Sequence, residues 1–404
     1  MPFDAPRHSP TTAARDGKAP ILYVLPTTEG GEADGLISAE VNSLRQLGCT
    51  VVPFAPKGMA GWIDPDIALE AAATDAAVPH DNLARAARNP FGLARATRLA
   101  LAQQALRAAE AMQLGARVAA AARQFGCGSI HAVSTDSAAT AALIGGRMTG
   151  LRVTMASQGG EIYRHGDDLA LKLRAAAVSL AACTEMADDF RNMAPRATVR
   201  ALHRGIDAEW FAAASRVQRN GRVLCLAPLV PRSGISTLLA AIGELPRERR
   251  LVVDVIGGGP LLEALRAEAL ERDVTDHVRF LGTRGRRWVA EEGQHYLGLV
   301  APGIVAPDGD RDPAPVAVLQ AMALQLPVLA SSLMGLREIV QVDSGHLVPP
   351  GEAVPLARGL RWLSLLPEAQ RRQLGQAGRD RVLSGYTMAD RAAALVEAVT
   401  ARAA

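Results

Sequence analysis

Two hydrophobic rhythms alternate along most of this chain. Short all-apolar runs at residues 21–25 (ILYVL), 50–54, 129–133, 153–156 and 179–182 predict strands buried on both faces. Between them, helical spacing predicts helices over about 36–47 (ended by Gly48), 82–125 with breaks near Asn89 and Gly115, 137–145, 169–177 and 185–192. The rhythm then restarts. Strand 222–227, the loop PLVPRSG, helix 235–242, strand 252–256, the loop GGGP and helix 261–272 are followed by strands at 278–281 and 297–300. Strands alternating with helices predict an α/β protein of doubly wound, parallel, Rossmann-like sheets. The polar, Pro-rich residues 1–19 read as a disordered lead, and the polar segment 212–221 reads as a linker. This divides the chain into an N-terminal domain, 20–211, and a C-terminal domain, 222–375, facing each other across a central cleft. The tail beyond residue 352 shows only helical segments, broken near Pro367 and Gly385, and residues 376–404 are expected to pack back across the domain interface.

One stretch carries more turn chemistry than the scaffold needs. Residues 302–315 contain four prolines and three aspartates and must be loop, while 316–324 has helical spacing and 327–330 is a short strand. Strand, long loop, helix and strand form the unit with which α/β domains build a pocket at the carboxyl ends of their strands. A loop this long inside a compact domain is usually functional.

Composition narrows the partners. With 49% apolar residues but only 4% aromatics, the core must be built from alanine, leucine and their aliphatic neighbours. The 44 basic and 41 acidic residues nearly cancel, leaving +3, and no basic run interleaved with aromatics argues for nucleic acid. Arginines at 85, 88, 95, 98, 107, 117 and 123 give the helical region 85–123 a basic face. That face is either a solvated surface with arginine stems lying over apolar neighbours, or a peripheral contact with an anionic membrane. Cys49, Cys127, Cys183 and Cys225 are widely spaced, which predicts buried free thiols in a reducing compartment. The N-terminus has no signal-peptide core and no window reaches a membrane span, so the expected location is cytoplasmic, with peripheral attachment at the inner face of the membrane kept open. The glycines at 30, 31 and 35 do not match the GxGxxG dinucleotide fingerprint.

Four ordered segments resemble glycosyltransferase family 4, whose members have the two-domain GT-B fold; the flavour is that of enzymes assembling colanic acid and similar exopolysaccharides. DPAPVAVLQAMALQLPVLASSLMGLREIV is similar to the family phrase EGxPxxLxEAMAxGxPVVAT…GxPEIV. VLCLAPLVPRSGISTLLAAI, VIGGGPLLEAL and HRGIDAEWF resemble further family phrases, and the likeness spans roughly residues 20–395. It implies transfer of a hexose from a nucleotide-sugar donor to a saccharide or lipid-linked acceptor, with retention of configuration, no metal and no cofactor beyond the donor.

Carried over position by position, the likeness meets repeated departures. The family's paired glutamates fall at Asp312 and Gln320, and the glycine after the first is Pro313, which has no N–H to offer a phosphate or sugar oxygen. Ala314 and Val316 line the same phrase. The phosphate-binding arginine and lysine fall at Pro228 and Ser233, leaving Arg232 and Arg337 as substitute cations. The first-domain histidine corresponds to Gln158, which cannot titrate but can donate a hydrogen bond. Gly30, Gly31, Gly257 and Gly258 are candidates for close backbone approach to the donor, and Glu338 for nucleotide contact or helix capping. A metal set from His165, Asp167 and Asp168 lacks ligands in the local sequence. Three functional readings remain: a divergent transferase with repurposed arginines, a catalytically silent GT-B protein serving as a binding or partner subunit to another glycosyltransferase, or another two-domain α/β enzyme such as an epimerase or phosphorylase-like protein.

Overall fold

The computed structural model describes residues 19–26, 34–56, 65–78, 89–157, 161–164, 168–211 and 218–401, together with residues 159 and 166. Among the described residues, twelve short strands form two parallel sheets. The first comprises β1 (Ile21–Val24), β2 (Val51–Phe54), β3 (Ser129–Ala132), β4 (Arg152–Ala156), β5 (Val178–Ala181) and β6 (Val199–Ala201), in the order β2-β1-β3-β4-β5-β6. The second comprises β7 (Val223–Leu226), β8 (Val253–Ile256), β9 (Val278–Gly282), β10 (Leu299–Ala301), β11 (Val328–Ser331) and β12 (Gly345–Val348), in the order β12-β11-β10-β7-β8-β9. Register is in phase along neighbouring strands: Ile21 lies opposite Val51 and Ser129, and Val223 opposite Val253. All four residues of β1 and of β8 are buried, as both-face burial of a parallel strand requires.

Each sheet reverses its direction of growth once. In the first the reversal falls between β1 and β3, and in the second between β7 and β10. Such switch points leave a crevice beyond the carboxyl ends of the two strands, because their following loops diverge to opposite faces. Tertiary contacts divide the chain into two compact units. Of the described residues, one holds those within 1–155, 175–178 and 396–404, and the other those within 156–174 and 179–395. Residues 179–211 therefore cluster with the second unit, as does nearly the whole C-terminal tail. The core of the second unit gathers Leu238, Leu239 and Ile242 of the helix Ile235–Gly243 with Val253, Val255 and Leu360.

Several local expectations needed adjustment. The helix Ala108–Gln124 runs unbroken through Gly115, because a Cβ there would meet Ile144 Cγ2 at 2.2 Å; the glycine serves close helix packing. The break falls at Gln103 instead, whose side chain donates to the Ala100 and Leu106 carbonyls at 3.1 and 2.6 Å. Asn89 caps a helix start: its side chain accepts from Gly92 N at 2.9 Å and Pro90 opens the helix Pro90–Ala102, while the helix expected over residues 82–88 lies outside the described residues. The helix Pro65–Ala77 and the strands β6 and β12 are additional elements.

One buried carboxylate lies in β8. Asp254, fully buried, accepts from Tyr296 Oη at 2.7 Å and faces Arg222 and Arg279 at 3.3 and 3.4 Å. The Tyr296 hydroxyl is pushed up by burial and by the neighbouring carboxylate. Cys127, Cys183 and Cys225 are buried free thiols and Cys49 is half-buried.

Candidate functional site

The loops after β7 and β10 meet at the switch point of the second sheet. After β7 the chain turns through a short 3-10 helix, Pro231–Ser233, and reverses at Gly234, where φ is +67°. A Cβ at Gly234 would meet the Pro302 carbonyl oxygen at 2.0 Å, so only glycine lets the two loops approach. The Ile304 N–H donates to the Arg232 carbonyl at 2.8 Å, stitching the loops through their backbones. Arg232 then donates through its guanidinium to Asp310 at 3.0 Å. Asp310 is held in a tight turn: Ala306 N–H donates to its carbonyl at 2.8 Å, and its own N–H donates to Asp308 at 3.0 Å.

Two residues on, the Asp312 carboxylate accepts from Ala314 N–H at 3.1 Å and lies 3.8 Å from the guanidinium of buried Arg204. Pro313 and Ala314 are buried, and the Pro313 carbonyl accepts from Gly335 N–H at 2.9 Å. Pro315 precedes the helix Val316–Ala323, on which Val316 and Gln320 are half-buried. Arg311 lies over the Tyr163 ring at 4.0 Å, and the Tyr163 hydroxyl donates to Asp189 at 2.7 Å. Burial first, and Asp189 second, push that phenol up.

The turn at Gly335 brings a second cluster alongside. Glu338 accepts from Thr184 N–H at 2.7 Å, from Thr184 Oγ1 at 3.0 Å and pairs with His203 Nε2 at 2.7 Å. It thus caps the first turn of the helix Thr184–Met193, where an acidic group is favoured by the exposed amides. Arg337 is paired with Glu185 of that same turn. His203 also lies against Tyr386 in a tilted arrangement with ring centroids 5.2 Å apart, and Gly205 packs where a Cβ would meet the Thr387 carbonyl oxygen at 2.5 Å. The Cys183 thiol, pressed against Gly335, is pushed up to about 11 by burial, which makes it a poor nucleophile at neutral pH.

The glycines after β8 are explained by backbone packing. Gly257 has φ +155°, and a Cβ there would meet the Ala227 carbonyl oxygen at 1.9 Å; its N–H donates to the Gly282 carbonyl at 3.1 Å. The Gly258 carbonyl accepts from Leu229 N–H at 2.9 Å. These contacts hold the post-β7 loop in place.

Of the residues singled out in the sequence, the structure brings Asp312, Pro313, Ala314, Arg337 and Glu338 together, and Asp310 ties Arg232 to the same loop. Gly30, Gly31 and Gln158, with His165 and Asp167, lie outside the described residues. Sequence reasoning missed the roles of Thr184, Tyr163, Asp310 and Arg311. His203 and Arg204 belong to the HRGID phrase, which was the one signal that pointed toward them.

Comparison with known proteins agrees with this architecture. Residues 207–381 match the family Glycosyl transferases group 1. The chain is 30% identical over 178 residues to the amylovoran biosynthesis glycosyltransferase AmsK of Erwinia amylovora, covering 42% of this chain and 43% of AmsK. It is 31% identical over 220 residues to a GDP-mannose-dependent alpha-(1-6)-phosphatidylinositol monomannoside mannosyltransferase of Mycobacterium tuberculosis, covering 50% of this chain and 56% of that protein. The match thus spans about half the length of these curated relatives. Among solved structures, Anabaena HepE in complex with UDP superposes with a TM-score of 0.66 at 15% identity, over 94% of this chain and 98% of that one. Over residues 207–381 the chain is thus similar to the glycosyl transferases group 1, and its two parallel sheets have the GT-B fold.

Proposed function

We infer that the chain transfers a hexose from a nucleotide-sugar donor to a saccharide or lipid-linked acceptor in the making of a surface polysaccharide or glycolipid, with retention and without a metal. The observation that carries this reading is the meeting of Arg232, Asp310 and Asp312 at the switch point between β7 and β10. A leaving nucleoside diphosphate needs cationic stabilisation as its charge develops. Arg232 is the cation on the post-β7 loop, and Asp310 holds its guanidinium in a defined orientation. Exchange of the Asp310 carboxylate for a phosphate oxygen would keep Arg232 charge-paired throughout. Asp312 is oriented by Ala314 N–H to accept sugar hydroxyls. Support comes from the relatives: one is named for a GDP-mannose donor and HepE binds UDP.

A second reading is favoured by a specific observation. Arg232 and Arg337 are both engaged by carboxylates of this same chain, and Pro313 has no N–H. A site so compensated suits a silent GT-B subunit that binds a saccharide or a partner glycosyltransferase. The experiment that separates the two is acceptor-dependent nucleotide release. Purified full-length protein is offered UDP-, GDP- and ADP-sugars with membrane extract or lipid-linked acceptor, against acceptor-free controls. Transfer that falls at least tenfold in Arg232→Ala supports the first reading. No release across the panel, with no calorimetric binding of UDP or GDP, sinks it.

A further inference from the structure

The helix Pro90–Ala102 packs Gly92, Ala96 and Ala100, flanked by half-buried Leu93 and Leu99, inward and leaves Phe91 and Leu101 outward. Gly92, Ala96 and Ala100 are buried, the alanines in a cluster with Ala111, Ile144 and Met148. A Cβ at Gly92 would meet the Arg147 carbonyl oxygen at 2.6 Å, so the helix lies close against its neighbour at that turn. Phe91 and Leu101, by contrast, are 84% and 70% exposed. At about 100° per residue, Phe91, Ala94, Arg95, Arg98, Leu101 and Ala102 fall within about 120° of arc. All six are exposed.

A water-facing helix stripe is ordinarily polar, and interleaved aromatic, aliphatic and arginine side chains mark a face that meets something else. The helix contains no acidic residue. Its positive charge is felt nearby: the Arg147 guanidinium is lowered by burial and then by repulsion from Arg95. An open groove along one edge of that face is lined by Leu93, Thr97, Arg98 and Leu101. A second copy of this chain is a poor occupant, because two such stripes would set arginine against arginine. A surface with anionic head groups over an apolar interior matches both the charge and the exposed hydrocarbon.

We propose that the helix Pro90–Ala102 lies in the plane of an anionic lipid bilayer, with Phe91 and Leu101 entering the acyl boundary and Arg95 and Arg98 meeting head-group phosphates. This sharpens the basic face read from the sequence: Arg117 is paired with Asp75 and Arg123 donates to the Met148 carbonyl, so those two cations serve the fold. The proposal needs no donor or acceptor and stands apart from the transferase reading.

Co-sedimentation of the full chain with vesicles tests it. The protein is expected to bind phosphatidylcholine vesicles containing phosphatidylglycerol and to stay in the supernatant with phosphatidylcholine alone. Arg95→Gln with Arg98→Gln should weaken binding roughly fivefold per charge removed. Phe91→Ser with Leu101→Ser should weaken it roughly tenfold or more, even at low salt. All four positions are exposed, so unchanged melting curves are expected to accompany the loss. Failure to bind anionic vesicles overturns the proposal, as does binding indifferent to both pairs of substitutions. A wild-type dimer that dissociates on Phe91→Ser would assign the face to a second copy and overturn it equally.

Discussion

Around the loops that follow β7 and β10, arginines meet carboxylates of the same chain: Arg232 lies 3.0 Å from Asp310 and Arg204 lies 3.8 Å from Asp312, while Arg337 pairs with Glu185. On the helix Pro90–Ala102, Arg95 and Arg98 stand outward beside Phe91 and Leu101, with no acid in the helix. The first arrangement fixes loop geometry, because a paired and partly buried guanidinium has few orientations. The second leaves charge and hydrocarbon available to a partner. Counting arginines along the sequence would treat the two regions alike; what differs is where the compensating anions lie.

The most compensated case, in β8, gives the largest expected effect. Replacing Asp254 with alanine leaves Arg222, Arg279 and the Tyr296 hydroxyl facing a buried vacancy, which should cost about 3–5 kcal/mol of stability in denaturant titration. A loss no larger than that of the exposed Arg98→Gln would break the distinction between paired and unpaired arginines.

Next in size is the pair at the switch point. Removing Arg232 should weaken UDP or GDP binding by roughly tenfold to a hundredfold, the worth of a charge-assisted hydrogen bond of about 1.5–3 kcal/mol. Asp310→Asn should act in the opposite direction and strengthen it, since Arg232 no longer gives up a charged partner. Calorimetry on the two variants reads the sign directly, and a loss in both would assign Asp310 to loop architecture alone.

A smaller effect sharpens the other side of the comparison. Vesicle binding should fall with rising salt in the wild type and lose most of that dependence in Arg95→Gln with Arg98→Gln. Persistence of the full salt dependence would place the relevant charge elsewhere.

The smallest effect concerns the thiols. Burial pushes Cys127 and Cys225 up to about 12 and Cys183 to about 11, from 9.0. An acid raised on folding stabilises the native state while it stays neutral, so this contribution is intact below about pH 9 and is lost as pH rises through 11 and 12. At pH 8, a thiol reagent should label half-buried Cys49 first and reach the other three only on unfolding. Rapid native labelling of Cys225 would contradict its burial.

Much of the scaffold was legible because parallel strands buried on both faces leave all-apolar runs such as residues 21–25. The helix Pro65–Ala77 escaped because alanine-rich residues between its few larger apolar positions, Ile67 and Leu69, blur the helical period. The pairing of Arg117 with Asp75 helps to anchor it. Gly115 read as a break because a lone glycine cannot show whether it ends a helix or admits a neighbouring one.

By itself, the sequence determined the two α/β sheets, the loop of residues 302–315 and the family phrase in which Asp312, Pro313 and Gln320 depart. These follow from local periodicity, turn residues and spacing, which are properties of neighbouring positions. Only the tertiary structure decided that Arg232 belongs to Asp310, that Glu338 caps Thr184 and pairs with His203, and that Phe91 and Leu101 face outward. Those partners are separated by 78 to 154 positions, and ion pairing and burial depend on distance in space, which residue order does not encode.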